Sequence, residues 1–125
     1  MTDFESLRAR QAALSADIHA EAARAAQIAT DLRAQWNRAV ATLEGNRRVA
    51  ANTPVQVSAA RITTEQATAR YQSGLGTIDQ VAEAHRLLTQ AEIDDALARL
   101  AVWRSLLGIA AAAGDIQPFV AAASR

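Results

Sequence analysis

Side chains that could carry out chemistry are few in this chain and widely spaced. His19 and His85 fall in different segments, and their nearest acidic neighbours lie two positions away, where side chains on a helix point in different directions. Asp94 and Asp95 are adjacent, so they diverge around a helix and do not form a catalytic carboxylate pair. The sequence therefore predicts no metal site and no acid–base pair.

The segment Ser73–Thr77, with the sequence SGLGT, superficially suggests a glycine-rich phosphate loop. It follows a helical pattern rather than a strand, and the chain contains no Lys, so the strand–loop–helix context of such loops fails. No nucleophile is set beside a base. We predict no catalytic residue, no metal and no cofactor, and the chain is not expected to be an enzyme.

The composition favours long helices with thin apolar seams. Of the 125 residues 32 are Ala, which has the highest helix propensity, and only two Pro and five Gly interrupt the chain. The 13 Arg are balanced by 13 acidic residues, with no basic patch of the kind that binds nucleic acid. Opposite charges four residues apart, Glu44/Arg48 and Asp95/Arg99, predict exposed helix faces. The predicted fold class is all-α.

Signals for export or membrane insertion are not apparent in the sequence. The first ten residues contain no apolar core of a secretory signal, and the chain contains no Cys. The longest uncharged run in the C-terminal third, Ser105–Gly114, is far shorter than the ~20 residues of a membrane helix. As written, the chain is expected to be soluble.

The first half of the chain has one apolar stripe and a proline near its end. The stripe predicts a helix over about 4–51; its apolar residues are Leu7, Leu14, Ile18, Ala25, Ile28, Leu32, Trp36, Val40 and Leu43. Pro54 would clash with the carbonyl of Ala50 inside a helix. We therefore predict a stop near Ala51 and a second helix over about 54–72 with Thr53 as N-cap; a single kinked helix is the alternative.

A short link then separates two helices. Gly74 can take the left-handed conformation that ends a helix, and Thr77 with Gln80 predicts a capping box that begins the next. Only Leu75 and Gly76 lie between Gly74 and Thr77. So short a turn, residues 73–77, forces the flanking helices to be antiparallel neighbours.

The last helix is predicted over about 78–113, with two apolar seams. The first seam comprises Val81, Ala84, Leu88 and Ala91; the second comprises Ile93, Leu97, Leu100, Trp103 and Leu107. The expected packing anchors of the fold are Leu32, Trp36, Leu97, Leu100 and Trp103. Gly114 and Pro118 predict that the helix ends, with a frayed tail over 114–125. Residues 1–125 are thus expected to form a single helical region, a long antiparallel helical hairpin or coiled-coil-like bundle.

The tract Tyr71–Ala84, YQSGLGTIDQVAEA, resembles a repeating feature of TolC-like outer-membrane efflux proteins, also called outer membrane factors. Members carry a Tyr at the end of a long helix, a Gly three residues on, a Ser or Thr cap and then a small apolar pair with Asp/Glu-Ala. The stretch His85–Glu92 and the end of the last helix at Gly114 are similar to the family as well. The family position before Val81 usually carries Asp or Glu, and here it is Gln80, which keeps the cap but puts a charged contact in doubt.

The resemblance implies a passive transport duct. In this family three protomers form a β-barrel in the outer membrane and an α-helical tunnel in the periplasm, whose end meets an adaptor protein and, through it, an inner-membrane pump. The chain matches only the C-terminal periplasmic helical portion and lacks the barrel strands, so it is expected to be a fragment. The residues that the resemblance assigns to the adaptor-contacting tip are Tyr71, Gly74, Leu75, Gly76, Thr77, Asp79 and Gln80.

A second hypothesis is a self-associating helical scaffold or interaction module with no transport role. Composition and periodicity suit both hypotheses, and the spacing of residues in the tip favours the duct. Because the helices that would cover its seams in a duct are missing, the chain is expected to form a homo-oligomer, such as a dimeric bundle.

Overall fold

The computed structural model describes residues 2–124, and the side chains of residues 4–124. It contains three α-helices, α1 (Thr2–Gln72), α2 (Ile78–Ala113) and α3 (Gln117–Ala123), and no strand within the described residues. The all-α prediction is confirmed. By its contacts the chain divides into two compact units, unit 1 over Met1–Asn37 and unit 2 over Arg38–Arg125.

The helix α1 passes through Pro54 without a break. The predicted stop near Ala51 and restart at Thr53 are therefore wrong. Pro54 still removes one N–H, and the carbonyl oxygen of Ala50 that it leaves without a helical donor lies 3.4 Å from the Thr53 hydroxyl. Thr53 is buried and Val57 half-buried, so contacts with the rest of unit 2 hold this part of α1 helical despite its proline.

In unit 2, α1 and α2 pack through residues that recur at alternating steps of three and four. We call this set the central seam. On α1 it comprises Leu43, Asn46, Ala50, Thr53, Val57, Ala60, Thr64 and Ala67; on α2 it comprises Val81, Ala84, Leu88, Ala91, Asp95, Ala98, Val102, Ser105 and Ile109. All of these are buried or half-buried. Their mean spacing of 3.5 residues keeps one face of each helix turned to the other, and the many small side chains allow close approach.

Three hydrogen bonds across the central seam fix the direction of the two helices. The Asn46 amide donates to the Ser105 hydroxyl (2.6 Å) and the Thr53 hydroxyl donates to an Asp95 carboxylate oxygen (2.7 Å). Nearer the link, the hydroxyl of Thr64 lies 3.1 Å from the backbone carbonyl oxygen of Ala84. Residues that come later in α1 bond to residues that come earlier in α2, so the two helices run antiparallel.

The packing anchors that the sequence suggested are not part of the central seam. Leu32, Trp36, Leu97, Leu100 and Trp103 are all exposed, Leu97 to 57%. The first predicted seam of α2 is the one that contacts α1, and it continues through Asp95 to Ile109. By helical spacing the second predicted seam lies on the opposite side of α2, where its residues are exposed among the described residues.

The predicted frayed tail is wrong, because residues 117–123 form α3. Gly114 (φ +70°) ends α2 in the left-handed conformation, and its N–H and that of Asp115 donate back to the last turn. Pro118 then sits in the first turn of α3, where its missing N–H costs nothing. Phe119 packs edge-to-face on Trp103, with ring centroids 6.3 Å apart, and this aromatic pair ties α3 to α2.

Candidate interaction site between the two long helices

The end of α1 is built by a glycine in the left-handed conformation. Gly74 has φ +75°, as its position in the sequence predicted. Its N–H donates to the carbonyl of Tyr71 (2.9 Å), and the N–H of Leu75 donates to that of Arg70 (2.8 Å). These two bonds form a Schellman motif, which satisfies carbonyls that the last turn of a helix otherwise leaves unpaired.

The start of α2 is built by the predicted capping box. The Thr77 hydroxyl accepts from the backbone N–H of Gln80 (3.4 Å), and the Gln80 side-chain oxygen accepts from the backbone N–H of Thr77 (3.2 Å). Thr77 itself is extended, with φ −107° and ψ 156°. Gln80 therefore completes the cap, since its amide oxygen accepts a hydrogen bond as a carboxylate would.

Gly76 is favoured for a different reason, the close approach of the chain to itself. A Cβ atom at position 76 would lie 3.1 Å from the backbone nitrogen of Tyr71 and 3.2 Å from the side-chain oxygen of Gln80. Two glycines therefore let the link reverse the chain between Gln72 and Ile78, one through its φ and the other through its lack of a side chain.

The reversal leaves apolar side chains in solvent. Leu75 is 73% exposed, and Ile78 and Tyr71 are exposed as well. Asp79 and Gln80 are also exposed and border a groove of about 540 Å³ between the two helices. We call it the tip groove, and its lining residues are Thr63, Gln66, Ala67, Arg70, Asp79, Gln80, Glu83, Ala84 and Leu87.

Of the tip-groove residues, sequence reasoning assigned only Asp79 and Gln80 to the site. Gln66, Arg70, Glu83 and other lining residues lie outside the turn itself and were missed. The three-and-four spacing of the seam residues could have predicted these lining residues, because it places the last two turns of α1 opposite the first two turns of α2.

Charges at the tip groove are mixed in sign. Glu83 and Arg86 form a doubly hydrogen-bonded ion pair, at 2.7 and 2.8 Å, one turn apart on α2. The hydrogen bonds from Arg86 lower the pKa of the Glu83 carboxyl below its ordinary value, and both groups are exposed. Arg70 on α1 and Asp79 on α2 also line the groove, which therefore offers a partner both a cationic hydrogen-bond donor and anionic hydrogen-bond acceptors.

The other notable polar group of unit 2 is the buried carboxylate of Asp95. It accepts from Thr53 and pairs with Arg99, an ion pair that the sequence predicted. The other predicted pair, Glu44 and Arg48, does not form a salt bridge within the described part of the chain. Because Asp95 has hydrogen-bond partners on both helices, its burial is compatible with a structural role.

Residues with catalytic side chains are not gathered anywhere in residues 4–124. His19 and His85 are exposed, and no group of three or more His, Cys, Asp or Glu among the described residues is placed to hold a metal ion. Asp94 does not pair with Asp95; its carboxylate accepts a hydrogen bond from the Gln90 side-chain amide. What the geometry can offer a partner is shape, apolar contact and hydrogen bonds at the link.

The helix α2 contains an 18-residue stretch long and apolar enough to cross a membrane, with at most two ionised side chains. The count of uncharged residues had predicted that no helix would meet such a criterion. Core helices of soluble proteins meet it too, so the finding assigns α2 to no compartment.

Comparison with models of known protein families, with curated proteins and with solved structures finds no match to this chain. A functional assignment therefore depends on the geometry of the link and on the residues that form it.

Proposed function

We propose that the chain is a portion of the periplasmic α-helical tunnel of a trimeric outer-membrane efflux or secretion duct, and that it docks through the link between α1 and α2. The observation that carries this proposal is the link itself: Gly74, Gly76 and the Thr77/Gln80 capping box join two long antiparallel helices and expose Leu75 at their end. The residues and spacing of this helical hairpin resemble those of the efflux family's tunnel tip, apart from Gln80. The role is that of a passive conduit, with no catalytic step.

The uncovered side of α2 supports the same proposal. Helices that tile side by side into a cylinder need one apolar face for each neighbour. The central seam covers one face of α2, and the exposed Ile93, Leu97, Leu100 and Leu107 offer a second on the opposite side. In a duct those side chains would contact the next hairpin, which explains why so many large apolar residues are exposed in the isolated chain.

The tip groove suggests how an adaptor would be held. Leu75 and Ile78 provide apolar contact at the very end, while Arg70 and Asp79 flank the groove with opposite charges. A periplasmic adaptor that presents its own helical tip would bury the apolar side chains and pair with these charges. Exposed charge pairs are each worth under about 1 kcal/mol, so the apolar contacts would supply most of the affinity.

The proposal can be tested by site-directed photo-crosslinking, because the chain contains no Cys and a single introduced thiol is labelled alone. Leu75→Cys carries the crosslinker at the link, and Val49→Cys carries it on an exposed apolar position of α1 well away from the link. The probes are the periplasmic adaptor proteins encoded in the source genome, purified without their membrane anchors.

We expect one adaptor to crosslink to the chain labelled at position 75 and not to the chain labelled at position 49. Equal crosslinking from both positions would indicate nonspecific apolar contact, and no crosslinking from position 75 with any adaptor would contradict the proposal. Replacing Gly76 by Val, whose Cβ would lie 3.1 Å from the backbone nitrogen of Tyr71, should distort the link and weaken the specific crosslink while the helices remain.

A second candidate function is a self-associating helical scaffold, favoured by the exposed apolar stripe of unit 1. From Phe4 to Arg33 every residue is exposed, including Leu14, Ile18 and Ile28. Self-association alone gives no role to the link, so it predicts that substitutions at Leu75 change nothing. The crosslinking experiment therefore distinguishes the two functions.

A further inference from the structure

Unit 1 is a helical segment in which every described residue from Phe4 to Arg33 is exposed. Most of its large apolar residues follow a seven-residue repeat, which we call the unit-1 seam and label a and d in the usual heptad notation; seven of the ten a and d positions are apolar. Position a holds Phe4, Gln11, Ile18, Ala25 and Leu32; position d holds Leu7, Leu14, Glu21, Ile28 and Gln35. Phe4 is 77% exposed and Ile18 68%. A helix draws most of its stability in a protein from packing of its apolar face, so this seam requires a cover.

The residues that flank the unit-1 seam indicate which kind of helix packs on it. On one flank, position g, charges alternate in sign at every heptad: Arg10, Asp17, Arg24 and Asp31. On the other flank, position e, Arg8 carries a charge, and Ser15, Ala22 and Ala29 are small and uncharged. A flank whose charges alternate strictly in sign, as those of position g do, is complementary to itself when one copy is reversed.

We propose that unit 1 pairs with unit 1 of a second copy of this chain as an antiparallel, two-fold symmetric coiled coil, in the one register that places Arg10 opposite Asp31 and Asp17 opposite Arg24. A two-fold axis perpendicular to two antiparallel helices brings the same flank of both copies together. The charged flanks then meet each other and the small flanks meet each other. The inference does not depend on the proposed function.

The alternating charges select this register against its neighbours. In the proposed register the dyad lies near residue 20, and symmetry makes four opposite-charge pairs from Arg10–Asp31 and Asp17–Arg24. A slip of one heptad in either direction would place like charges opposite each other, Arg10 facing Arg24 in one case and Asp17 facing Asp31 in the other. Repulsion between like charges that face each other across a coiled coil disfavours both of these slipped registers.

Parallel pairing is disfavoured by the same flanks. In a parallel dimer each g residue faces an e residue of its partner. Asp17 would face Ala22 and Arg24 would face Ala29, so the four alternating charges of position g would gain no ion pair. The seam would also place Glu21 directly opposite its own copy. In the antiparallel register Leu7 meets Leu32 across the interface, and Glu21 lies opposite Ile18 of the second copy.

Contacts within the chain do not prevent this pairing. Arg24 lies 2.7 Å from Glu21 and Asp31 accepts from Gln27 at 2.9 Å, but all four side chains are exposed and can exchange partners. Residues 4–35 of a straight helix extend about 47 Å, so the five a and five d positions form about ten a–d contact layers, of the kind that stabilises coiled-coil dimers.

The inference is tested on the full chain by charge reversal, with the dimer dissociation constant measured by analytical ultracentrifugation. Asp17→Arg and Arg24→Asp each turn two attractive pairs into repulsive ones, and each should weaken the dimer on the order of tenfold. The double variant restores opposite charges and should return to the affinity of the unaltered chain. Arg33→Asp, on the exposed side away from both flanks, is the matched control and should change nothing.

Orientation is tested separately with single thiols, which the absence of native Cys makes unambiguous. A mixture of Leu7→Cys and Leu32→Cys chains should form a disulfide between the two kinds of chain, while Leu7→Cys alone should not link to itself. Rapid linkage of Leu7→Cys chains to one another would establish parallel pairing and overturn the inference. A double charge variant as weak as its singles, or a monomer at concentrations up to about 1 mM, would overturn it as well.

Discussion

Thr53→Val tests whether the buried hydrogen bond between the two long helices stabilises unit 2. The hydroxyl of Thr53 is the neutral donor to Asp95, at 2.7 Å, and both residues are nearly buried, with exposed fractions of 6% and 8%. Valine keeps the shape and the β-branch of threonine and has a similar helix propensity, so the change removes the hydroxyl and little else. It leaves a carboxylate in the seam with only Arg99 as its partner.

The expected loss follows from that geometry. A hydrogen bond to a charged group contributes about 1.5–3 kcal/mol, and a buried acceptor left without its partner costs about 1–3 kcal/mol. Because Arg99 remains to stabilise the carboxylate, we expect the lower part of that range, a loss of about 1–2 kcal/mol in the free energy of unfolding. Replacing both partners, Thr53→Val with Asp95→Leu, should recover most of the loss, since no polar group is then left unsatisfied.

The assay is urea unfolding followed by far-UV circular dichroism, at one fixed protein concentration because self-association shifts apparent stability. Thr63→Val is the matched control: its hydroxyl donates to Ala59 of its own helix and it is exposed, so its effect should stay within about 0.5 kcal/mol. If Thr53→Val and Thr63→Val shift the urea midpoint equally, or if adding Asp95→Leu deepens the loss, the role given to the Thr53–Asp95 bond is refuted.

Three further predictions concern the backbone and the exposed ion pair. Pro54→Ala should raise the free energy of unfolding by up to about 3 kcal/mol, because it restores a helical N–H inside α1; no gain in the urea midpoint would contradict the account of Pro54. Gly74→Val should lower the free energy of unfolding by about 1 kcal/mol or more, because valine is strained at φ +75°, whereas Gly45→Ala, inside α1 at a position with open space, should raise it by roughly 0.5–1 kcal/mol; thermal melts of the two variants that moved in the same direction would contradict the assignment of Gly74. Arg86 lowers the pKa of Glu83 in the folded chain, so the stabilisation from this ion pair is present above the unfolded-state pKa and is lost as the pH falls through the lowered folded-state pKa. The melting temperatures of the unaltered chain and Glu83→Gln should therefore differ near pH 7 and converge near about pH 2. A difference that persists in acid would show that it does not arise from the Glu83–Arg86 ion pair.

The link was predictable from sequence because its chemistry is local. Gly74 in the left-handed region and the capping box of Thr77 with Gln80 depend on residues within a few positions of each other, and each motif has a residue signature. The same holds for the end of α2 at Gly114. Local rules sufficed wherever the backbone groups of a helix end are satisfied by its own neighbours.

The course of α1 through Pro54 was not predictable by the same means. Proline rules describe the local cost, but the helix is held by contacts over 40 positions away in the sequence, such as that of Thr53 with Asp95. The interpretation of Thr53 as an N-cap failed for the same reason: its hydroxyl serves a partner on another helix rather than a nearby N–H.

The predicted packing anchors lie outside the central seam, because the size of a side chain does not by itself decide which residues are buried between two helices. Leu97 and Trp103 are larger and more apolar than Ala98 and Ser105, yet the smaller pair is buried. Between two closely approaching helices, small residues occupy the interface and large ones are left outside it. The tail was mispredicted because the Trp103–Phe119 contact that ties α3 to α2 is tertiary.

The measurement that tests the proposed docking most directly is the affinity of the full chain for the adaptor that crosslinks at the link. Leu75→Asp places a charge on the most exposed apolar side chain of the tip, and Val49→Asp places the same charge on an exposed position of α1 away from it. If the tip is the docking surface, Leu75→Asp weakens binding at least about tenfold, which is a loss of about 1.4 kcal/mol, and Val49→Asp leaves it unchanged. Equal affinities for the two variants would contradict docking through the link.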